Sequence, residues 1–260
     1  MTRLHKLFDL GGRVAIVTGG SRGLGIQIAE ALGEFGARLV LVSRKQADLD
    51  AAADHLSGLG VEAVTVAADL GTDPDAAARI HARARDAFGA VDILVNNAGA
   101  TWGAPSEHHP MDAWQKVINL NLTGLFRLTQ LVAREEMLPR GRGAILNLAS
   151  IEGLFGHHPD MTGTAAYNAT KGAVINLTRS LAAEWGPRGV RVNALAPGHF
   201  PTKMTAGLID AQAGRLLDMI PMKKFGNEDD LKGAALLLVS DAGGHITGQV
   251  LAVDGGATAI

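Results

Sequence analysis

Short runs of apolar residues recur along the whole chain and alternate with longer segments of helical spacing. The runs are rich in Val, Ile, Leu and Ala, and they lie at 14–18, 38–43, 61–67, 91–96, 143–148, 190–195 and 249–253. Strands that alternate with helices form parallel β-α-β units, and continuous apolar runs suit strands that helices cover on both faces. The pattern predicts an α/β fold with a doubly wound parallel sheet of about seven strands in three layers.

No linker, low-complexity tract or internal repeat interrupts this alternation of predicted strands and helices. With 260 residues and 47% hydrophobic content, the chain is long enough to bury a large core. We therefore interpret residues 1–260 as a single domain. The segment 198–226 lacks strand character, and long irregular connections in compact domains are usually lids or binding loops, so we expect a substrate flap there.

Composition narrows the possible partners and compartments. The formal net charge is −2 and the chain has no basic run, which argues against a nucleic-acid partner and leaves small molecules as ligands. There are no cysteines, which excludes disulfides and Cys-ligated metals and fits a reducing compartment. The N-terminus lacks the apolar run of a signal peptide, and no stretch approaches the length of a membrane span. We expect a soluble cytoplasmic protein.

The first apolar run leads into a glycine-rich turn, Thr18-Gly19-Gly20-Ser21-Arg22-Gly23-Leu24-Gly25, and helix-like sequence follows directly. Glycines there allow a tight turn, bring backbone N–H groups close to a pyrophosphate and aim a helix N-terminus at it. The spacing is G-x-x-x-G-x-G. A structural turn is the alternative, but the position after the first strand of a β-α-β unit favours a Rossmann-type dinucleotide site.

The residues at the end of the second apolar run indicate which dinucleotide the protein binds. An acidic residue there would accept the ribose hydroxyls of NAD, but the chain has Ser43-Arg44. A guanidinium suits a 2′-phosphate, and Arg22 in the glycine loop offers a second one. NADP(H) is therefore favoured over NAD(H), the alternative being that both arginines are merely solvated.

The only tyrosine of the chain, Tyr167, stands four residues before Lys171 in a helix-like stretch. Residues four apart share one helical face. An ammonium ~4 Å from a phenol, at an effective dielectric of ~20, is worth about 4 kcal/mol, enough to lower the phenol pKa from about 10 to roughly 7. The pair is a candidate for general acid-base chemistry, although such a pair on its own is more often an ordinary surface contact.

Six features in order along the chain resemble the short-chain dehydrogenase/reductase family. They are the glycine motif of 18–25, Asp69, Asn96-Asn97-Ala98-Gly99, Asn121, Ser150 with Tyr167 and Lys171, and Pro197-Gly198. The resemblance implies a nicotinamide cofactor, NAD(P)(H), which supplies the hydride, and a catalytic group of Asn121, Ser150, Tyr167 and Lys171. Within it, Ser150 binds the substrate carbonyl, Tyr167 transfers the proton, Lys171 lowers the Tyr167 pKa and holds the ribose, and Asn121 binds a relay water. The resemblance also implies a homo-oligomer.

The resemblance assigns cofactor contacts residue by residue, with Asp69 at the adenine and Thr202 at the nicotinamide amide or the phosphates. The expected cofactor-binding residues are Gly19, Ser21, Arg22, Gly23, Leu24, Gly25, Ser43, Arg44, Asp69, Leu70, Asn96, Ala98, Gly99, Tyr167, Lys171, Pro197, Gly198 and Thr202.

One departure from the family pattern bears on the substrate. Sixteen residues separate Ser150 from Tyr167, several more than usual in the family, and the added segment contains Gly156-His157-His158-Pro159-Asp160-Met161. Adjacent histidines seldom point the same way and no third ligand is evident, so we expect no metal but a loop that shapes specificity. The candidate substrate-binding residues are Trp102, Ser150, Glu152, His157, Phe200 and Met204.

The sequence leaves the substrate open. The segments around Ser150 and Gly198 are similar to gluconate 5-dehydrogenases and also to 3-oxoacyl thioester reductases. Polar candidates favour a sugar acid, whereas Trp102, Phe200 and Met204 favour an apolar chain. The same fold hosts NADP(H) sensors without catalytic activity, as well as isomerases and dehydratases. The complete Ser-Tyr-Lys set favours a dehydrogenase that interconverts a ketone and a secondary alcohol.

Long helices with apolar residues on several faces are expected at 111–137 and 164–185. Such a helix needs cover on both sides, and self-association supplies it. Together with the resemblance, this predicts a homotetramer.

Overall fold

All seven apolar runs form strands of one parallel sheet, which confirms the predicted fold class. The computed structural model describes residues 3–156 and 161–260. The strands are β1 (Val14–Thr18), β2 (Arg38–Ser43), β3 (Ala63–Ala67), β4 (Ile93–Asn96), β5 (Gly143–Leu148), β6 (Val190–Pro197) and β7 (Val250–Val253). Their order across the sheet is β3-β2-β1-β4-β5-β6-β7.

Helices fill most of the connections. They are α1 (Leu4–Leu7), α2 (Gly23–Glu34), α3 (Gln46–Gly58), α4 (Ala76–Phe88), α5 (Met111–Ile118), α6 (Leu125–Val132), α7 (Leu138–Arg140), α8 (Ala165–Trp185), α9 (Ala206–Asp218) and α10 (Lys232–Val239). Within the described part of the chain, none of them combines the length and apolar character needed to cross a membrane.

Alternate side chains of each central strand enter two separate cores, one on each face of the sheet. Val17 and Val95 are buried on the face covered by α2, α3 and α10. Ile16 and Leu94 are buried on the face covered by α4, α6 and α8. Complete burial of such a side chain contributes about 1.5–3 kcal/mol, so the double layer of aliphatic residues stabilises the three-layer arrangement.

The sheet contains one point where the strand order reverses. β1 pairs with β2 on one side and with β4 on the other, in parallel register. The connections that leave β1 and β4 therefore run to opposite faces and leave a crevice at the carboxyl edge, where doubly wound folds bind their ligands.

The helix predicted at 111–137 is a continuous helical stretch from α5 to α7 that contains two π-helical turns, Asn119–Gly124 and Ala133–Met137. A π turn inserts an extra residue and is frequent at functional sites. The first of these turns contains Asn121. In the segment 198–226, α9 follows an irregular stretch after β6, and its role as a substrate flap stays a prediction.

Candidate active site

The glycine loop between β1 and α2 has the geometry of a phosphate-binding turn. Gly19 and Gly23 have φ values of 64° and 55°, in the left-handed region that favours glycine. A Cβ on Gly25 would lie 2.2 Å from the carbonyl oxygen of Gly19. Gly25 therefore allows the loop to fold directly onto the first turn of α2, with the free N–H groups of the helix facing the crevice.

A residue without a predicted role, Asn97, attaches the glycine loop to the end of β4. Its Nδ2 donates to the carbonyl oxygens of Thr18 (2.9 Å) and Gly19 (3.1 Å). In return, Thr18 Oγ1 accepts from the backbone N–H groups of Asn97 and Ala98 at 2.9 and 3.0 Å. The sequence offered the pair Asn96-Asn97 at this position, but only Asn96 was predicted to have a role.

Asn96, expected to border the cofactor, lies elsewhere. Its side chain is buried below the crevice, where Nδ2 donates to Thr129 Oγ1 (2.8 Å) and Asn147 Oδ1 (2.9 Å). Strand alternation directs Asn96 into the helix layer, so its role is to join β4, β5 and α6. Gly25 is likewise a packing position that does not face the cavity.

The far end of the crevice collects the charged residues expected at the adenosine. Ser43 ends β2, the exposed Arg44 follows it, and Asp69 comes after β3. Arg22 reaches Asp48 of α3, with Nη1 3.3 Å from Oδ2. Both side chains are partly exposed, so this ion pair adds little stability, but it holds the guanidinium beside the cavity.

One cavity of about 940 Å³ runs along the carboxyl edge from the glycine loop to Ser150, Tyr167 and Lys171. Apart from Gly25 and Asn96, every residue predicted to bind the cofactor lines it. Among the substrate candidates, Ser150, Phe200 and Met204 also line it, whereas Trp102 and Glu152 do not. His157 lies outside the described residues.

Tyr167 and Lys171 occupy one face of α8, as their spacing predicted. Lys171 is 5% exposed; its Nζ lies 5.4 Å from the centre of the Tyr167 ring and donates to the carbonyl oxygen of Leu148 at 2.5 Å. Ser150 follows β5 and is 7% exposed. Strand β5 and helix α8 therefore bring a hydroxyl, a phenol and an ammonium to one end of the cavity.

Burial has a larger effect on these groups than the sequence suggested. It raises the pKa of the Tyr167 phenol, a hydrogen bond with Ser150 lowers it, and the charge of Glu152 raises it. Burial also lowers the pKa of Lys171 to about 8. The expected lowering of the Tyr167 pKa by Lys171 is therefore not found, because desolvation disfavours the phenolate more than nearby groups stabilise it.

Asn121 lies in the π turn with its side chain bonded to two other elements. Nδ2 donates to the carbonyl oxygen of Ala100 (2.9 Å) and to Thr170 Oγ1 (3.1 Å), and Oδ1 accepts from Ala100 N at 2.8 Å. The amide thus joins the segment after β4 to α8 beside Lys171. The relay water expected at Asn121 stays a prediction.

The shape and chemistry of the cavity fit a nicotinamide dinucleotide. Gly19 and Gly23, whose positive φ values shape the loop, line the end where a pyrophosphate would bind, and Tyr167 and Lys171 line the other end. No group of three or more His, Cys, Asp or Glu suitable for a metal occurs in residues 3–156 and 161–260. Fold and site together define a Rossmann-type oxidoreductase dependent on a nicotinamide cofactor.

Comparisons with known proteins agree with that class. Residues 19–258 match the family model described as enoyl-(acyl carrier protein) reductase. The chain is 41% identical to gluconate 5-dehydrogenase of Gluconobacter oxydans over 254 residues, 97% of each chain. It is 37% identical to the rhamnolipids biosynthesis 3-oxoacyl-[acyl-carrier-protein] reductase of Pseudomonas aeruginosa over 262 residues, 97% of this chain and 99% of the relative.

A solved structure shows the same architecture. The crystal structure of a gluconate 5-dehydrogenase from Burkholderia cenocepacia, in complex with NADP and tartrate, superposes with a TM-score of 0.92 at 35% identity, covering 99% of this chain and 100% of the other. The chain belongs to the short-chain dehydrogenase/reductase family. It is an oxidoreductase that acts on CH–OH groups, which confirms the predicted enzyme class.

Proposed function

We propose that this protein is an NADP(H)-dependent oxidoreductase that interconverts a ketone and a secondary alcohol on a sugar acid. The observation that carries the proposal is the single cavity that joins the glycine loop and Arg44 at one end to Ser150, Tyr167 and Lys171 at the other. The sugar acid is supported by the likeness to two gluconate 5-dehydrogenases.

Ser150, Tyr167 and Lys171 each have a separate role in the proposed reaction. The bound nicotinamide supplies or accepts the hydride. The Ser150 hydroxyl donates a hydrogen bond to the substrate oxygen, and Tyr167 gives that oxygen a proton in reduction or removes one in oxidation. With a pKa of about 8, Lys171 is mostly protonated at neutral pH, so its ammonium serves the ribose hydroxyls and the proton path behind Tyr167.

The remaining contacts hold and cover the ligands. The glycine loop would bind the pyrophosphate through its N–H groups, and Asp69 would contact the adenine. Residues 198–226 act as the substrate flap, with Phe200 and Met204 on its cavity side. The whole chain works as one domain.

A substrate screen tests this function. With NADPH, 5-ketogluconate should be reduced with a higher kcat/KM than a 3-oxoacyl thioester, followed by absorbance of the nicotinamide. The thioester is the second candidate, because Phe200 and Met204 offer an apolar wall and a relative carries that activity in its name. If only the thioester is reduced, the 3-oxoacyl thioester replaces the sugar acid as the proposed substrate. If neither compound is reduced, the proposed function is wrong.

Cofactor preference should favour NADPH over NADH by roughly ten- to a hundredfold in Kd. The reason is that a charge-assisted bond from Arg44 or Arg22 to the 2′-phosphate is worth about 1.5–3 kcal/mol. Changing Ser43 to Asp and Arg44 to Leu should reverse the preference, because it adds an acceptor for ribose hydroxyls and removes a phosphate partner.

Titrations of both cofactors into the two proteins measure this preference. Lys45→Leu is the matched control, because it removes an exposed cation one residue beyond the cavity wall and should leave the ratio near that of the wild type. Equal or tighter binding of NADH by the wild type would show that neither Arg44 nor Arg22 binds the 2′-phosphate.

We also propose a homotetramer built partly on the long helices. Met111 of α5 is 72% exposed and Phe126 of α6 is 37% exposed, and burial of this apolar surface against another copy of the chain would favour association. Light scattering should give four times the 27.0 kDa subunit mass. Met111→Glu with Phe126→Glu should lower that mass, and a wild-type monomer in dilute solution would contradict the assembly.

A further inference from the structure

The hydroxyl of Thr170 stands in the middle of a hydrogen-bond chain that runs from the π turn Asn119–Gly124 to the backbone of Tyr167. Asn121 Nδ2 donates to Thr170 Oγ1 at 3.1 Å, and Thr170 Oγ1 donates to the carbonyl oxygen of Tyr167 at 2.8 Å. An amide N–H only donates and a carbonyl oxygen only accepts, so the direction of both bonds is fixed. Asn121 and Thr170 are both buried. The chain therefore ties the backbone of Tyr167 to the π turn.

The orientation of the Asn121 amide is set by the segment after β4. Its Oδ1 accepts from the backbone N–H of Ala100 at 2.8 Å, and its Nδ2 donates to the Ala100 carbonyl oxygen at 2.9 Å. Both N–H groups of the amide are thus in use, one on Ala100 and one on Thr170. Asn121 is therefore a fixed anchor for the Thr170 hydroxyl, and a relay water at this side chain would have to donate to Oδ1.

The anchored turn of α8 carries both reacting groups. Thr170 stands between Tyr167 and Lys171 in the chain. A Cβ on Gly99 would lie 3.5 Å from Asn121 Oδ1 and 3.8 Å from Lys171 Nζ, so the amide lies beside the ammonium. In an α-helix the Tyr167 carbonyl also accepts from the N–H of Lys171, and an added bond from a threonine hydroxyl bends a helix locally. The Thr170 hydroxyl therefore acts on the backbone from which the phenol and the ammonium project.

A second threonine of α8 makes the same type of bonds farther from the reacting groups. Thr178 Oγ1 accepts from Asn147 Nδ2 at 2.9 Å and donates to the Val174 carbonyl oxygen at 2.8 Å, and Thr178 is also buried. At a rise of ~1.5 Å per residue, Thr178 lies about 16 Å along the helix from Tyr167. The two threonines therefore have matched chemistry, and only one of them supports the turn with the reacting groups.

We propose that Thr170 is a positioning residue of the reaction, whose hydroxyl, held by Asn121, fixes the place of Tyr167 and Lys171 relative to the bound ketone. This deepens the proposed function, since it rests on Tyr167 as the group that transfers the proton. Misplacement of a reacting group by about 1 Å lowers a rate by as much as about a hundredfold. A single bond to the backbone of Tyr167 is therefore enough to affect turnover.

Removal of the hydroxyl alone tests the proposal. Thr170→Val keeps the size of the side chain and should lower kcat by roughly ten- to a hundredfold, with KM for the ketone and Kd for NADPH close to the wild-type values. Thr170→Ser keeps the hydroxyl and should restore most of kcat. Thr178→Val is the matched control, because it should lower the Tm about as much as Thr170→Val and leave kcat near that of the wild type. Rates are measured with NADPH and either 5-ketogluconate or a 3-oxoacyl thioester.

A double-mutant cycle tests the path from Asn121. Asn121→Leu removes the donor that holds the Thr170 hydroxyl, so Thr170→Val should lower kcat much less in that background than in the wild type. Effects of the two substitutions that simply multiply would show that Asn121 does not act through Thr170.

A second readout needs no substrate. Tyr167 is the only tyrosine, so NMR of the protein with isotope-labelled tyrosine reports on this ring alone. Thr170→Val should shift these signals, and Thr178→Val should leave them in place. If Thr170→Val does not fold, Thr170→Cys replaces it, because a thiol is a weak donor of similar size, and it should change kcat and the ring signals in the same direction by less.

The outcomes separate this proposal from the proposed function. Wild-type kcat or unshifted Tyr167 signals in the Thr170 variant, or an equal loss of kcat in Thr178→Val, would overturn the role of Thr170 while turnover of a ketone by the wild type kept the proposed function. Shifted signals in the Thr170 variant alone, without turnover of either ketone by the wild type, would support the placement of Tyr167 by Thr170 and overturn the proposed function.

Discussion

Replacing Tyr167 by Phe should reduce kcat by a factor of about 100 or more, the usual effect of removing a general acid. The fold and the cofactor affinity should remain, because the aromatic ring keeps its packing on α8. Lys171 should also keep its place, since its Nζ donates to the carbonyl oxygen of Leu148 and lies 5.4 Å from the ring centre. Steady-state rates with NADPH and 5-ketogluconate measure the loss.

Two accompanying measurements make this result specific. The Kd for NADPH and the Tm should stay close to the wild-type values, which shows that the lost rate is not lost folding. Ser57→Ala removes an exposed hydroxyl from α3 and should leave kcat unaltered. Retention of more than roughly a tenth of the wild-type rate by Tyr167→Phe would assign the proton transfer to another group.

The fold was predictable because its signal is local and repeated. Each run of apolar residues was long enough for a strand and too uniform for a half-exposed one, and the structure buries Ile16 and Val17 on opposite faces of the sheet. The face shared by Tyr167 and Lys171 was predictable for the same reason, since helical spacing alone decides it.

Contacts between distant segments were not predictable from such patterns. The bond from Asn97 to the glycine loop joins residues 79 positions apart, and it exists only because β4 pairs with β1. Asn96 and Asn97 are identical in type, so only strand alternation and the end of β4 decide which one faces the crevice. The contacts of Asp48 with Arg22 and of Asn168 with Glu152 were missed for the same reason, because each joins side chains from two different segments.

Burial was the other property that the sequence could not supply. A helical face with Tyr167 and Lys171 suggested a phenol acidified by a neighbouring cation. The structure places both groups in a desolvated site, where burial raises one pKa and lowers the other. The charge on Glu152 adds to the effect on the phenol, and the sequence had indicated Glu152 only as a substrate contact.

Replacing Gly25 by Ala should abolish tight cofactor binding and destabilise the protein. Alanine is the better helix former by about 1 kcal/mol, so helix propensity alone predicts a gain within α2. The geometry predicts the reverse, because the added Cβ would lie 2.2 Å from the Gly19 carbonyl oxygen and 2.5 Å from Asn97 Nδ2. These are backbone and a side chain tied by hydrogen bonds, so the loop itself must move.

Overpacking of this kind typically costs about 1–3 kcal/mol. The displaced N–H groups should lower NADPH affinity by about a hundredfold or more, which corresponds to a loss of about 2.7 kcal/mol or more of binding free energy. Gly58→Ala is the matched control, because Gly58 ends α3 with nothing within 4 Å of an added Cβ, and there the helix propensity of alanine should act unopposed. Thermal unfolding and NADPH titration of the two variants decide the matter. If Gly25→Ala matches Gly58→Ala in Tm and in Kd, the loop does not rest on α2 in the way that the cofactor site requires.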